Sequence, residues 1–322
     1  MTTPDLRIVT AGVLVAVGVL VAAVGVTRTG GDDRPAASAT WTKGPYVALG
    51  DSYTAGPDIP GRRGTPVGCA RSDHNYPSLV AGQLGIPAAD FSDMSCTGAT
   101  IADLTAPQRT GNGTNPAQLT ALSRKTRLVS VGIGGNDIGF GAVVERCVAL
   151  GAVYHVIGTY VSDASPCERL YTEDGGEDRV ERRIDAAGTR LADALREIER
   201  RAPQARVYVV GYPDILSADG SACRRDMSLA PGDTAYLREK EQRLNTELRE
   251  RAEAAGAVYV DTYGPSKGHD ACSGEDTRWI EPLLPSSAAA AVHPNARGER
   301  GMADVVLRTI RRTVRRCPGP GC

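Results

Sequence analysis

The sequence predicts an α/β fold, a three-layer α/β/α sandwich with a central, mainly parallel five-stranded sheet. Two features indicate this class. Short apolar runs alternate along the chain with longer amphipathic stretches, and three of the runs end abruptly in small or polar residues. Strands that alternate with helices form a parallel sheet with helices on both faces. The carboxyl ends of such strands lie at one edge of the sheet, where α/β proteins bind their ligands.

The predicted strands are the apolar runs, and the predicted helices lie between them. Strands are expected at 46–49, 88–94, 127–133, 206–210 and 257–261. Helices are expected at 77–84, 115–123, 140–150, 178–202, 231–255 and 296–316. Pro77 suits the first turn of its helix, and Gly256 supplies a stop after 231–255. Residues 151–177 are expected to be irregular, and a long segment, 262–292, precedes the last helix.

The composition is that of one soluble globular domain. The 322 residues are 41% hydrophobic and 23% charged, enough for one sizeable core. A net charge of −1 and 5% aromatic residues give no support to a nucleic-acid partner. We expect one monomeric domain over 41–316, without a cofactor. The pairs Asp73–His74 and His269–Asp270 are too isolated to predict a metal site.

The first 40 residues form a hydrophobic signal or anchor segment with a linker. Residues 8–26 are a run of 19 residues without charge, preceded by Arg7 and followed by Arg28. That length is adequate for a membrane span. Ala37-Ser38-Ala39 resembles a cleavage site, but it ends 13 residues beyond the run. An uncleaved anchor and a cleaved signal peptide therefore both remain open, and either one exports the rest of the chain.

The eight cysteines indicate disulfides, because an exported chain folds in an oxidising compartment. None forms a Cys-x-x-Cys pair, which makes a zinc ribbon a weak interpretation. The alternative is a set of free buried thiols. The cysteines are Cys69, Cys96, Cys147, Cys167, Cys223, Cys272, Cys317 and Cys322, the last two in a short Cys/Pro/Gly tail at 317–322.

Three residues at predicted strand ends indicate a nucleophilic site. Ser52, Gly98 and Asn136 follow the first, second and third strands. Ser52 lies where a strand turns into a helix, so its hydroxyl is at the ligand edge of the sheet and near free backbone N–H groups. The backbone N–H groups of Ser52 and Gly98 and the Asn136 amide are candidate oxyanion donors. The alternative is structural: Ser52 caps a helix and Asp51 closes a turn.

His293 is the best candidate for the base that such a serine needs. It is one of four histidines, and it stands in a His-Pro-Asn sequence just before the last predicted helix. Histidine is the side chain whose charge changes near pH 7. Asp137, beside Asn136, is expected to be a buried partner that holds its turn.

Four blocks in the order Ser, Gly, Asn, His resemble the SGNH (GDSL-type) hydrolase superfamily. They are Gly50-Asp51-Ser52-Tyr53-Thr54-Ala55-Gly56, Thr97-Gly98-Ala99, Gly134-Gly135-Asn136-Asp137 and His293-Pro294-Asn295. The resemblance covers about residues 46–302. It implies the α/β/α fold, catalysis by Ser52 and His293, and an oxyanion hole of Ser52, Gly98 and Asn136.

The extended first block and the loop cysteines most resemble the secreted actinobacterial esterase/lipase branch. That branch pairs six cysteines in sequence order, which implies Cys69–Cys96, Cys147–Cys167 and Cys223–Cys272. Cys317 and Cys322 fall outside this pattern and could pair with each other.

The block around His293 departs from much of the superfamily, which has an aspartate three residues before the histidine. Here that position is Ala290. Because members of the resembled branch use a main-chain carbonyl instead, the resemblance implies that the Ala290 carbonyl orients His293. Asp261 and Asp276 remain alternatives.

The expected function is an exported serine ester hydrolase, secreted or membrane-anchored, that cleaves small-molecule or lipid esters, including fatty-acyl esters, through an acyl-serine intermediate. Leu283, Leu284 and residues 288–292 could line an acyl site or simply pack in the core. A carbohydrate O-deacetylase is an alternative, with Trp41 and Trp279 as the tryptophans available for sugar binding. A non-catalytic, membrane-tethered binding domain is another and predicts an unreactive serine.

Overall fold

The computed structural model describes residues 44–157, 164–172, 176–219 and 223–316. The predictions for segment 1–40, for Trp41 and for Cys317 and Cys322 lie outside these residues. Within the described ranges, no helix combines the length and apolarity that a membrane span requires.

The central sheet has five strands, and every neighbouring pair is parallel, which confirms the predicted fold class. Its order is β2-β1-β5-β6-β7, with β1 at Tyr46–Gly50, β2 at Phe91–Asp93, β5 at Leu128–Gly132, β6 at Arg206–Val210 and β7 at Val258–Val260. A separate antiparallel hairpin pairs β3, Gln108–Thr110, with β4, Gly113–Asn115. From β1 the chain adds β2 on one side and then β5, β6 and β7 on the other, so the strand order reverses between β1 and β5. Open α/β sheets bind their ligands at such a reversal point.

Helices cover both faces of the sheet. They are α1 Ser52–Ala55, α2 Tyr76–Gln83, α3 Phe140–Ile157, α4 Pro166–Tyr171, α5 Arg179–Arg201, α6 Cys223–Met227, α7 Pro231–Ala254, α8 Tyr263–Ser266 and α9 Ala296–Arg316. Alternation along β1 divides the core: Tyr46 and Ala48 pack with residues of α2 and α9, whereas Val47 and Leu49 pack with residues of α3, α5 and α7.

Several predicted boundaries change in the structure. The helix predicted at 115–123 is wrong, because Asn115 ends β4 and only a 3₁₀ turn, Gln118–Ala121, follows. The strand predicted from residue 88 begins at Phe91, because Ala88–Asp90 form a 3₁₀ turn. Helix α3 continues seven residues beyond its predicted end at 150, and α4 lies within the segment predicted to be irregular.

The three predicted disulfides are confirmed: Cys69–Cys96, Cys147–Cys167 and Cys223–Cys272. The Cys69–Cys96 bridge joins the loop after α1 to the segment that follows β2. Beside it, the Thr97 N–H donates to the Cys69 carbonyl at 3.1 Å. This bridge therefore anchors the short loop that carries Gly98 next to the carboxyl edge of the sheet.

Candidate active site

Ser52 begins α1, two residues after β1 ends at Gly50. The turn between them requires glycine at position 50. A Cβ atom at Gly50 would lie 2.2 Å from Thr54 Oγ1 and 2.6 Å from the Gly132 carbonyl oxygen. The Gln118 side chain binds both backbone groups of Gly50, accepting from its N–H at 2.8 Å and donating to its carbonyl at 2.9 Å. The turn therefore holds Ser52 in one place, and Ser52 is 6% exposed.

Asp51 caps this turn and links it to β5 and β6. Its carboxylate accepts the Tyr53 N–H at 2.9 Å and the Tyr212 hydroxyl at 2.5 Å, and the Tyr212 hydroxyl accepts the Gly135 N–H at 2.8 Å. Burial raises the pKa of Asp51 to about 7, against the lowering effect of these hydrogen bonds. A large fraction of Asp51 is therefore protonated at neutral pH, which reduces the negative charge beside Ser52.

His293 reaches Ser52 from the loop before α9. Its Nε2 lies 2.8 Å from Ser52 Oγ, and its Nδ1 lies 2.7 Å from the Ala291 carbonyl oxygen. The prediction of a main-chain carbonyl is confirmed in kind, but the choice of Ala290 is wrong. The Ala290 carbonyl accepts the backbone N–H of His293 at 3.3 Å. Val292 has a φ of 58°, and this left-handed turn brings the Ala291 carbonyl to the ring.

Neither aspartate alternative is confirmed. The Asp261 carboxylate accepts the Gly264 N–H at 3.0 Å, and Asp276 is exposed. Burial lowers the pKa of His293, and the hydrogen bond to the Ala291 carbonyl and the charge of Asp58 offset part of this effect. The imidazole is therefore neutral at pH 7 and free to accept a proton.

A buried carboxylate, Glu281, holds the loop that carries His293. Its Oε1 accepts Ser287 Oγ and Asn295 Nδ2, both at 2.7 Å, and its Oε2 accepts the Ser286 N–H at 2.8 Å. Although burial acts to raise the pKa of Glu281, these hydrogen bonds lower it below its ordinary value of 4.5. Its backbone also donates to the His293 carbonyl at 3.0 Å.

Tyr53 supports the same loop from the nucleophile side. Its hydroxyl donates to the Val292 carbonyl at 2.6 Å, and its ring centroid lies 5.0 Å from that of His293. The residue after Ser52 therefore positions the segment that ends in His293.

The two remaining blocks are tied to each other. Asn136 Nδ2 donates to the Ala99 carbonyl at 2.9 Å, and Asp137 Oδ2 accepts the Ile101 N–H at 2.9 Å. Asp137, predicted to hold its own turn, binds other segments instead: its second carboxylate oxygen pairs with Arg190. Gly98, one residue before Ala99, is exposed and has a φ of 78°, a value that favours glycine.

A cavity of about 300 Å³ opens beside the serine and the histidine. Ser52, Asn136 and His293 line it together, so the structure brings these three predicted residues to one place. The apolar part of the wall comprises Phe140, Val144, Ile215, Leu244, Leu283 and Val292. Of the two alternatives for this stretch, Leu283 lines the cavity, whereas Leu284 does neither and is 86% exposed.

The isolated acid–histidine pairs stay apart from this site. His74 contacts Asp73 at 2.6 Å on the surface, and His269 Nδ1 lies 2.7 Å from the Thr277 carbonyl. Across the described residues, no three His, Cys, Asp or Glu side chains are grouped to hold a metal ion.

Sequence reasoning missed Tyr212, Glu281 and Gln118. Tyr212 follows β6 by two residues, so the strand-end rule that identified Ser52 and Asn136 could also have found it. Glu281 and Gln118 carry no such signal, because neither follows the end of a predicted strand: Gln118 binds Gly50, 68 residues away, and Glu281 binds Asn295, 14 residues away.

Comparison with known proteins agrees with this geometry. The sequence profile of the GDSL-like lipase/acylhydrolase family matches residues 48–300. Lipase 2 of Streptomyces coelicolor is 40% identical over 305 residues, which is 94% of this chain and 97% of that protein.

Two solved structures are also similar. Phospholipase A1 from Streptomyces albidoflavus NA297 aligns with a TM-score of 0.66 and 26% identity, over 83% of this chain and 99% of that one. The extracellular lipase from Streptomyces rimosus aligns with a TM-score of 0.64 and 27% identity, with the same coverage. The chain therefore belongs to the GDSL-like lipase/acylhydrolase family, within the actinobacterial lipase branch of the SGNH hydrolases, and is a carboxylic ester hydrolase.

Proposed function

We propose that this chain is an exported serine esterase or lipase that cleaves fatty-acyl esters through an acyl-serine intermediate. The observation that carries the proposal is the 2.8 Å contact between His293 Nε2 and Ser52 Oγ inside the cavity. A serine hydroxyl becomes nucleophilic when an adjacent neutral histidine takes its proton. The lowered pKa of His293 supports this role.

The reaction begins when Ser52 Oγ attacks the ester carbonyl carbon and its proton passes to His293 Nε2. The oxyanion that forms accepts hydrogen bonds from the Ser52 N–H, the Gly98 N–H and the Asn136 amide proton that Ala99 does not use. The intermediate collapses, the alcohol leaves with the proton from His293, and the acyl group stays on Ser52. Water then gives a proton to His293, attacks the acyl-serine and releases the acid as Ser52 regains its proton.

The Ala291 carbonyl supports this cycle by selecting the tautomer. Its 2.7 Å contact with Nδ1 holds a proton there and leaves the Nε2 lone pair facing Ser52. A neutral carbonyl stabilises the imidazolium less than a carboxylate would. The pair is therefore a Ser52–His293 dyad, oriented by the main chain.

The apolar wall favours a fatty-acyl substrate over an acetylated sugar. Sugar sites use exposed aromatic rings, but Trp279 stacks on His269 with centroids 5.2 Å apart and is committed to that contact. Trp41 lies outside the described residues. A non-catalytic binding domain would not need a histidine hydrogen-bonded to the serine.

Export rests on the apolar run at residues 8–26 and on three disulfides, which form in oxidising compartments. The catalytic domain is then outside the cell, either released or held by the uncleaved segment. Sequencing the N-terminus of the mature protein distinguishes these two forms.

The test uses the full chain, purified under oxidising conditions, with p-nitrophenyl esters of short and long acids. We expect Ser52→Ala to lower kcat by about 10³-fold or more with the fold intact. Ser92→Ala, an exposed serine on β2, is the matched control. Equal rates for wild type and Ser52→Ala would overturn the proposal, and a preference for acetate over longer acids would favour the deacetylase.

A further inference from the structure

One carboxyl group lies in the otherwise apolar wall of the cavity. Glu241, on α7, lines the cavity and is only 2% exposed. Leu244, one turn further along the helix, lines it as well. Tyr53, the residue after Ser52, lines the same cavity. Glu241 thus shares the cavity with the nucleophile.

The hydrogen-bonding capacity of Glu241 is only partly used. Oε2 accepts the Ile215 N–H at 3.3 Å, whereas Oε1 is buried and has no hydrogen-bond partner in the described part of the chain. A buried polar atom without a partner is costly, so such atoms are rare in folded proteins. Here the atom belongs to a side chain in the wall of a ligand cavity.

Burial and the neighbouring carboxyl groups favour the protonated form of Glu241. Burial raises the pKa of Glu241 well above 4.5, and Asp214 and Asp270 raise it further, against the opposing effect of Arg238. The Arg238 guanidinium instead donates to the Leu216 carbonyl at 2.8 Å and to the Tyr263 hydroxyl at 3.1 Å. The protonated form, which this environment favours, has one proton to donate and a carbonyl oxygen that can accept.

We propose that Glu241 makes this cavity select acyl chains that carry a hydroxyl group over plain alkyl chains of the same length. The inference rests on the proposed function, in which the cavity holds the acyl group. The apolar wall around Phe140, Val144 and Leu283 contacts the methylene groups. A hydroxyl on the chain both donates and accepts, so it satisfies the buried acid, which an alkyl chain leaves unpaired.

The test compares p-nitrophenyl octanoate with its 6-, 7- and 8-hydroxy forms. Three positions are used because the distance from Ser52 to Glu241 along the cavity sets which carbon of the acyl chain lies beside the carboxyl group. For the wild type we expect at least one hydroxy ester to exceed octanoate in kcat/KM by about tenfold. Glu241→Gln retains a donor and an acceptor and should keep most of this ratio. Glu241→Met is similar in size but apolar, and its ratio should fall to about one. Glu250→Met, on the exposed face of α7, is the control and should keep the wild-type ratio.

The ratio is measured within each variant, so a partial loss of stability cancels. Equal rates for octanoate and every hydroxy ester in the wild type would overturn the inference, as would an unchanged ratio in Glu241→Met. If either result is found and hydrolysis still depends on Ser52, the proposed function is retained and only the role of Glu241 is refuted. Hydrolysis that does not depend on Ser52 would remove both.

Discussion

Replacing Glu281 with Gln should destabilise the protein strongly, although Glu281 does not contact Ser52 or the His293 ring. The two carboxylate oxygens accept hydrogen bonds from the Asn295 amide, from Ser287 Oγ and from the N–H groups of Ser286 and Ser287. Every partner is a donor. A glutamine has the same shape but places an NH₂ group where one of these oxygens was.

Either orientation of the new amide sets a donor against a donor. At the Oε1 position the NH₂ group faces Asn295 Nδ2, and Asn295 cannot flip because its oxygen accepts the Gly298 N–H at 3.0 Å. At the Oε2 position the NH₂ group faces the backbone N–H groups of Ser286 and Ser287. Two charge-assisted hydrogen bonds are lost, each worth about 1.5–3 kcal/mol. We expect the free energy of unfolding to fall by about 3–4 kcal/mol.

Urea unfolding at pH 7 measures this loss. With a slope of about 3 kcal/mol per molar urea, the midpoint should fall by about 1 M. The control is Glu275→Gln, an exposed glutamate in the same segment, which should stay within about 0.5 kcal/mol of the wild type. Because the affected loop carries Ala291, kcat of Glu281→Gln should fall as well.

The pH dependence gives a second test of the same reasoning. The pKa of Glu281 is lower in the folded protein than its ordinary 4.5, so its ionisation stabilises the fold above that pH. The contribution is lost as the pH falls through the folded value. The gap between wild type and Glu281→Gln should therefore shrink as the pH falls below about 4.5. A gap under about 1 kcal/mol at pH 7, or one that persists unchanged at low pH, would refute the argument.

Three further predictions concern the base, the core and the disulfides. Since burial lowers the pKa of His293, kcat/KM should rise with pH and level off with a midpoint below 6.5; a midpoint above 7 in a pH–rate profile would contradict this. A Cβ at Gly188 would lie 1.9 Å from Glu247 Oε1, so Gly188→Ala should cost about 2–3 kcal/mol, whereas Gly82→Ala meets nothing within 4 Å and should stabilise by about 0.5–1 kcal/mol; thermal melting checks the opposite signs. Replacing both cysteines of Cys223–Cys272 by serine opens a loop of 49 residues and should cost about 4 kcal/mol, against about 3 for the 20 residues of Cys147–Cys167; urea unfolding that reverses this order would contradict the loop-entropy argument.

The parts of the fold that the sequence predicted well are those whose pattern is local. Helices α5, α7 and α9 end within one residue of their predicted limits, because turn residues and apolar spacing act over a few positions. The helix predicted at 115–123 does not form, because Asn115 ends β4 and its side chain donates to the Met94 carbonyl at 3.1 Å. A contact with another segment outweighed a weak local preference.

In the candidate site, too, some residues could be predicted from local sequence and others could not. Ser52, Asn136 and His293 could be predicted because each stands in a recognisable block, and parallel strands bring their carboxyl ends together. The orienting carbonyl could not, because the choice between Ala290 and Ala291 depends on the positive φ of Val292. A β-branched residue rarely adopts that conformation, so no local rule predicts it.

The sequence by itself determined the alternation of strands and helices that forms a parallel sheet, and the blocks that contain Ser52 and His293. The pairing of six cysteines was implied by the family resemblance. Only the tertiary structure decided which carbonyl holds His293, that Glu281 fixes the loop, and that Glu241 lies in the cavity wall. The physical reason is that a strand end or a capping turn is set by neighbours in the chain. The partners of a buried carboxyl group are set by which distant segments pack against it, and the residue type alone does not encode them.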